Sequence, residues 1–214
     1  SDLQSNYAGY RFGETVAAAG DVNGDGYGDV IVGAPGGNRA YILIGGPGVP
    51  ASAPAWVVES NQPNFGFGRQ VAPAGDVNGD GYADVIVGSS YQSGGDDASG
   101  AGVSDGRVDV FYGSADGLAT TPDWTMTADQ SAACYGIAVA SAGDVNGDGY
   151  ADVIVGAFLY DQVHIDGGAA FVYYGSPDGL QSTPAWSAYG SRPLAYFGRA
   201  VASAGDVNGD GYAD

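Results

Sequence analysis

Four stretches of this chain place oxygen-bearing side chains at alternating positions. The first holds Asp21, Asn23, Asp25, Tyr27 and Asp29; the second holds Asp76, Asn78, Asp80, Tyr82 and Asp84. The third holds Asp144, Asn146, Asp148, Tyr150 and Asp152, and the fourth holds Asp206, Asn208, Asp210, Tyr212 and Asp214. Counted from the opening aspartate, side-chain oxygens fall at positions 1, 3, 5 and 9. The tyrosine at position 7 offers its backbone carbonyl, and a glycine at position 6 permits the sharp turn. Folding such a loop crowds three carboxylates together, which is costly unless a cation sits among them. The donors are all oxygen, with no His or Cys, so the chemistry is that of a hard divalent ion. Calcium fits better than magnesium, which keeps several waters and seldom uses an all-protein cage.

The spacing matches the first three-quarters of an EF-hand loop. Position 12, where that loop needs a bidentate glutamate, is Val32, Val87 and Val155 here. The flanks read as strands and not as helices, so each loop must join two strands and close its own shell by position 9. Asp, Asn and Gly also favour turns with no metal at all. A single copy would leave both readings open; four copies with the same five donors favour calcium.

The loops also set the organisation of the 214 residues. Each is preceded by an aromatic-glycine pair: Phe12-Gly13, Phe67-Gly68, Tyr135-Gly136 and Phe197-Gly198. A short apolar run leads into the loop, and "DVIVG" follows it in three copies. Then come "AYILIGG", "RVDVFYG" and "AAFVYYG", a turn, and a segment around Trp56, Trp124 or Trp186. Each unit thus offers four short strands separated by turn residues. No run has helical spacing. The expected fold is all-β: β-propeller blades, each a four-stranded antiparallel sheet, with three complete repeats and the start of a fourth. The repeats are placed at 12–66, 67–134, 135–196 and 197–214. A solenoid would need a shorter period, and a sandwich has no reason to repeat its sequence. Closed propellers need about four to eight blades. The count therefore predicts a piece of a longer chain, with the missing blades elsewhere, or a homo-oligomer in which a second copy completes the ring.

Composition narrows the partners. The formal charge is −19, and all six cations are arginine. Such a chain repels nucleic acid and anionic membranes. No apolar stretch is long enough to insert in a bilayer. Cys134 is the single cysteine, so no intrachain disulfide can form; metal would have to brace an exported protein instead. Cys134 reads as a small buried apolar residue. His164 is the single histidine and sits in a polar loop, which argues against catalysis.

Phe12-Gly13 followed by "GDVNGDGYGDVIVGAP", ending in Gly33-Ala34-Pro35, resembles the FG-GAP repeat. The resemblance covers essentially the whole chain. The repeat builds the β-propeller of integrin α subunits and of many bacterial secreted proteins. The second copy reads Gly88-Ser89-Ser90 and the third Gly156-Ala157-Phe158, so "GAP" is degenerate there, and Tyr135 replaces the phenylalanine. These departures touch packing and a neighbouring loop, not the calcium donors. The resemblance implies calcium loops on one face of the propeller and ligand recognition on the other.

Between the second and third strands the connections differ: "PGGNR" at 35–39, "SSYQSGGDDASGAGVSDG" at 89–106 and "AFLYDQVHIDGG" at 157–168. Variable loops on a constant scaffold are where recognition concentrates. Tyr91, Phe158, Tyr160 and His164 are the candidate contacts for a protein or glycan ligand. The expected function is a non-enzymatic, calcium-binding FG-GAP module for extracellular adhesion or ligand recognition, secreted or on the cell surface. The alternative is an accessory domain of a larger secreted enzyme such as a hydrolase. A catalytic propeller would need titratable groups converging at the axis, and few exist outside the calcium loops.

Overall fold

A computed structural model describes residues 9–48, 53–60, 66–90 and 105–214. They form three four-stranded antiparallel sheets, each a meander in chain order. The first holds β1 (Thr15–Gly20), β2 (Asp29–Ala34), β3 (Arg39–Leu43) and β4 (Trp56–Glu59). The second holds β5 (Phe67–Gly75), β6 (Asp84–Ser89), β7 (Arg107–Phe111) and β8 (Trp124–Thr127). The third holds β9 (Tyr135–Gly143), β10 (Asp152–Ala157), β11 (Ala169–Tyr173) and β12 (Trp186–Tyr189). One short 3-10 turn at Pro35–Gly37 is the helical content of the described residues. Residues 197–214 continue into a fourth acidic loop but form no strand.

The sheets stack side by side as blades. In β6 the pleat sends Val85 and Val87 toward the first sheet, among Ile42, Trp56 and Phe111. Ile86 points the other way, among Val108, Val110, Val139 and Tyr173. Every residue of β6 is buried, because a blade lies against each of its faces. This is why its sequence is an unbroken apolar run and not an alternation. The tryptophan that opens the fourth strand reaches into the following blade. Trp56 meets Phe111 edge-on at 5.1 Å between centroids, and Trp124 meets Tyr173 likewise at 5.1 Å. The indole N–H groups of Trp56 and Trp124 donate to the carbonyls of Ala119 and Gln181. Trp186, the third in the series, is 49% exposed, against 8% for each of the other two.

The two glycines of the repeated motif meet each other across blades. A Cβ on Gly33, Gly88 or Gly156 would overlap the backbone carbonyl of Gly68, Gly136 or Gly198 of the next unit. So the glycine that ends each "VIVG" is there because the next unit's aromatic-glycine backbone lies directly on it. The aromatic partner packs into the same seam: Phe67 lies edge-on to Phe111 at 6.4 Å, and Tyr135 lies 5.9 Å from Phe171.

At the loop end, Asp29, Asp84 and Asp152, at position 9 of the first three loops, are the buried acids. The Asp84 carboxylate accepts the N–H of Val77 in its own loop at 2.8 Å, and the N–H of Gly113 in the β7–β8 turn at 2.8 Å. Asp29 does the same with Val22 and Gly45, and Asp152 with Val145 and Gly175. One buried carboxylate thereby ties the two hairpin connections at this end of each blade.

Three substitutions test these constraints. Gly88→Ala is expected to cost about 3 kcal/mol or more, because the clash is with backbone and cannot be relieved by a rotamer change. Gly28→Ala has open space around its Cβ and is expected to stabilise by about 0.4–1 kcal/mol. Asp84→Ala strands two buried N–H groups and is expected to cost about 2–4 kcal/mol. Urea unfolding of each variant against the parent, without added calcium, reads all three.

Candidate metal centre

The four acidic loops share one local geometry. Within the first, the Asp21 carboxylate accepts the N–H groups of Gly24 at 2.7 Å, Asp25 at 3.1 Å and Gly26 at 2.8 Å. Asn23 Oδ1 accepts the Asp25 N–H at 3.1 Å, and Asp25 Oδ1 accepts the Tyr27 N–H at 2.9 Å. The second loop repeats the pattern through Asp76, Asn78 and Asp80. The third does so through Asp144, Asn146 and Asp148. The fourth does so through Asp206, Asn208 and Asp210, with Asp214 accepting from the Val207 N–H. Gly24 and Gly26 have φ of +74° and +85°, a conformation that tightens the loop until the position-1 carboxylate can reach three successive amides.

Alternation along the loop sends the acids to two environments. Positions 3 and 5 stay exposed or half-exposed at the loop tip, whereas Asp29, Asp84 and Asp152 are 2%, 0% and 0% exposed. Among the described residues, no three acidic side chains converge on one point. In the first loop the carboxylates of Asp21, Asp25 and Asp29 all accept backbone N–H groups.

Burial pushes the Asp84 carboxyl up to about 7, and the neighbouring Asp80 and Asp76 charges add to that, against the pull of the Val77 and Gly113 N–H groups. Asp152 is raised for the same reasons, burial first. In the exposed fourth loop the N–H groups led by Gly211 hold the Asp206 carboxyl below its ordinary range. A divalent cation would supply charge opposite to these acids. The donor set fits one: each carboxylate has about four lone-pair sites, and the two N–H bonds to Asp84 leave oxygen capacity for an ion.

The connections at the opposite ends of the blades hold the other candidates. Tyr91 lies outside the described residues. Phe158 is buried and forms a floor: Tyr196 lies 5.9 Å from its ring, and the Arg199 guanidinium lies over it at 5.5 Å. Tyr160 packs on Phe171 and Tyr189 and donates its hydroxyl to Asp129 at 3.1 Å. Its phenol is pushed up to about 12, by burial first and then by the Asp129 carboxylate. The His164 carbonyl accepts the Gly167 N–H, which closes a turn in the same connection. Phe158, Asp161, Asp166, Tyr196 and Arg199 line a cavity of about 450 Å³. Sequence reasoning did not single out Asp161, Asp166, Tyr196 or Arg199. Tyr196 and Arg199 flank Phe197-Gly198, a pair that repeats for packing reasons and so conceals its variable neighbours.

A model of the FG-GAP repeat matches residues 12–49, 67–111 and 135–173. Each match runs from the aromatic-glycine pair through the third strand of a sheet. Integrin alpha-IIb of Homo sapiens is 33% identical over 168 residues, covering 72% of this chain and 15% of that protein. Integrin alpha-PS2 of Drosophila melanogaster is 32% identical over 186 residues, covering 77% of this chain and 12% of that protein. Integrin alpha-5 of Xenopus laevis is 30% identical over 218 residues, covering 98% of this chain and 20% of that protein. The chain thus spans a fifth or less of the length of these relatives. The three matched repeats take in more than half of its residues, and the chain belongs to the FG-GAP repeat family.

Proposed function

We propose that this chain is a calcium-braced propeller module for extracellular adhesion or ligand recognition. In each unit the side chains at positions 1, 3, 5 and 9 and the carbonyl at position 7 would hold the ion. In the first unit these are Asp21, Asn23, Asp25, Asp29 and Tyr27. Bound there, calcium supplies positive charge among clustered carboxylates; it takes no part in a reaction. The observation that carries this reading is one geometry repeated in all four loops, where the position-1 carboxylate takes the amides at positions 4 and 6 and curls the oxygen donors to one side. The four copies of this donor set lie on a chain with formal charge −19.

The recognition half of the reading rests on the opposite ends of the blades. There the connections differ from unit to unit, and one of them builds the cavity that Phe158, Tyr196 and Arg199 line. Its walls mix aromatic surface, a guanidinium and two carboxylates, which suits a polar ligand such as a peptide side chain or a sugar. The similarity to integrin alpha chains supports an adhesive role. Extracellular calcium modules bind with Kd of about 10⁻⁴–10⁻³ M, a range that is useful where calcium is plentiful.

Calcium at about 100 times Kd adds about 2.7 kcal/mol per site. A chain of this size gains about 2–4 °C in Tm per kcal/mol. Chelation is therefore expected to lower Tm by about 15 °C or more, and sodium chloride at equal ionic strength is not expected to restore it. In calorimetric titration, Asp80→Ala is expected to remove one ion per chain. An unchanged melt with no calcium heat would sink the calcium reading. A protein and glycan array probed with the wild type and with a Tyr196→Ala, Arg199→Ala double variant tests recognition. Hits are expected to vanish in the variant; hits that persist would place recognition elsewhere.

A further inference from the structure

The acidic loops are not independent of one another. The N–H of Ala83, at position 8 of the second loop, donates to the carbonyl of Asp21, at position 1 of the first, at 3.0 Å. Ala151 does the same to Asp76 at 2.9 Å, and Ala213 to Asp144 at 2.9 Å. The tyrosine at position 7 lies on the glycine at position 4 of the preceding loop. A Cβ on Gly24 would stand 2.6 Å from Tyr82 Cε1, and one on Gly79 would stand 2.5 Å from Tyr150 Cε1. Tyr212 lies on Gly147 in the same way.

A second route runs through the buried aspartate. Asp84 accepts the Gly113 N–H, and the next residue, Ser114, donates its N–H to the Val22 carbonyl of the first loop at 3.1 Å. Asp152, Gly175, Ser176 and Val77 repeat that chain one unit further on.

We propose that each loop is positioned for its ion by the unit that follows it, so that calcium binding at successive loops is positively coupled. The inference rests on the calcium reading above and adds to it a direction. Position 7 contributes its backbone carbonyl to its own ion, which leaves the tyrosine ring to set the neighbour. Gly24, held under the Tyr82 ring, donates its N–H to the Asp21 carboxylate, a proposed donor of the first site. Fixing Tyr82 and Asp84 around one ion therefore fixes the backbone of Asp21, Val22 and Gly24 around the previous one. A site whose loop is already ordered loses less conformational entropy on binding.

The experiment is a calcium titration followed at the amides of Gly26, Gly81 and Gly149 by heteronuclear NMR, one reporter per loop. Tyr82→Ala keeps every donor of its own loop. It is expected to raise the midpoint at Gly26 by about fivefold or more, with a rise at Gly81 as well because coupling is reciprocal, while that at Gly149 stays within about twofold. Tyr82→Phe keeps the ring and is expected to restore the wild-type midpoint. Val163→Ala is the control, because Val163 is 77% exposed in the 157–168 connection, away from every acidic loop. It is expected to leave all three midpoints unchanged. A Tyr82→Ala effect confined to Gly81, or no effect at Gly26 while calcium still binds, overturns the coupling and leaves the calcium reading standing. No calcium-dependent shift at any reporter of the wild type overturns both. Should Tyr82→Ala not fold, Tyr82→Leu removes the flat ring while keeping bulk and is judged by the same midpoints.

Discussion

A buried carboxylate that accepts two backbone N–H groups is the interaction on which the rest of this architecture hangs. Asp29, Asp84 and Asp152 each join an acidic loop to the turn between the third and fourth strands of the same blade. Neither connection has a regular ladder of its own at that point, and an unpaired buried N–H would cost about as much as a lost hydrogen bond. A neutral acceptor could satisfy one of the two groups; a carboxylate satisfies both. Burial raises the Asp84 carboxyl, and the N–H groups of Val77 and Gly113 pull the other way. The structural role of the loop and its proposed metal-binding role thus meet in one side chain.

Between blades the governing constraint is steric. Backbone lies on backbone where Gly33 meets Gly68, Gly88 meets Gly136 and Gly156 meets Gly198. That contact explains why the aromatic-glycine pair and the glycine ending "VIVG" always travel together, though they lie far apart in each unit. They form the two sides of one seam, contributed by successive units. The two residues after that glycine vary with the connection they lead into: Ala34-Pro35 begins a short turn, whereas Ser89-Ser90 and Ala157-Phe158 enter longer connections.

Most of the scaffold was legible because repetition multiplies weak signals. The "DVIVG" strands, the tryptophan strands and the acidic hairpin connections all fall where spacing and turn chemistry place them. Features that depend on one blade facing the next were not legible. Trp56, Trp124 and Trp186 look alike in sequence, yet Trp56 and Trp124 are buried against Phe111 and Tyr173 of the following blade and Trp186 is 49% exposed. Asp109 sits in a run that reads as an ordinary alternating strand. It is buried only because Arg107 and Thr125 of the same sheet both donate to it. The acidic loops were legible as donor sets, while the fate of each oxygen was not: spacing names the ligands but does not say that position 9 is already shared by two amides.

The two ends of the blades follow opposite rules, and the reason is mechanical. At the acidic end each loop bonds its own turn and the loop before it, so a change in one unit is felt in two. Sequence there is held nearly constant: Gly28 departs from the repeated alanine at position 8 in the one loop that has no earlier loop among the described residues beneath it. At the other end the connections meet mainly their own blade and the start of the next. They can lengthen, as at 157–168, without disturbing the seam glycines, because the ladder from β10 to β11 ends at Ala157 and Ala169 whatever lies between. A row of cross-linked loops at one edge thus frees the other edge to vary. That freedom is what a recognition surface requires of its scaffold.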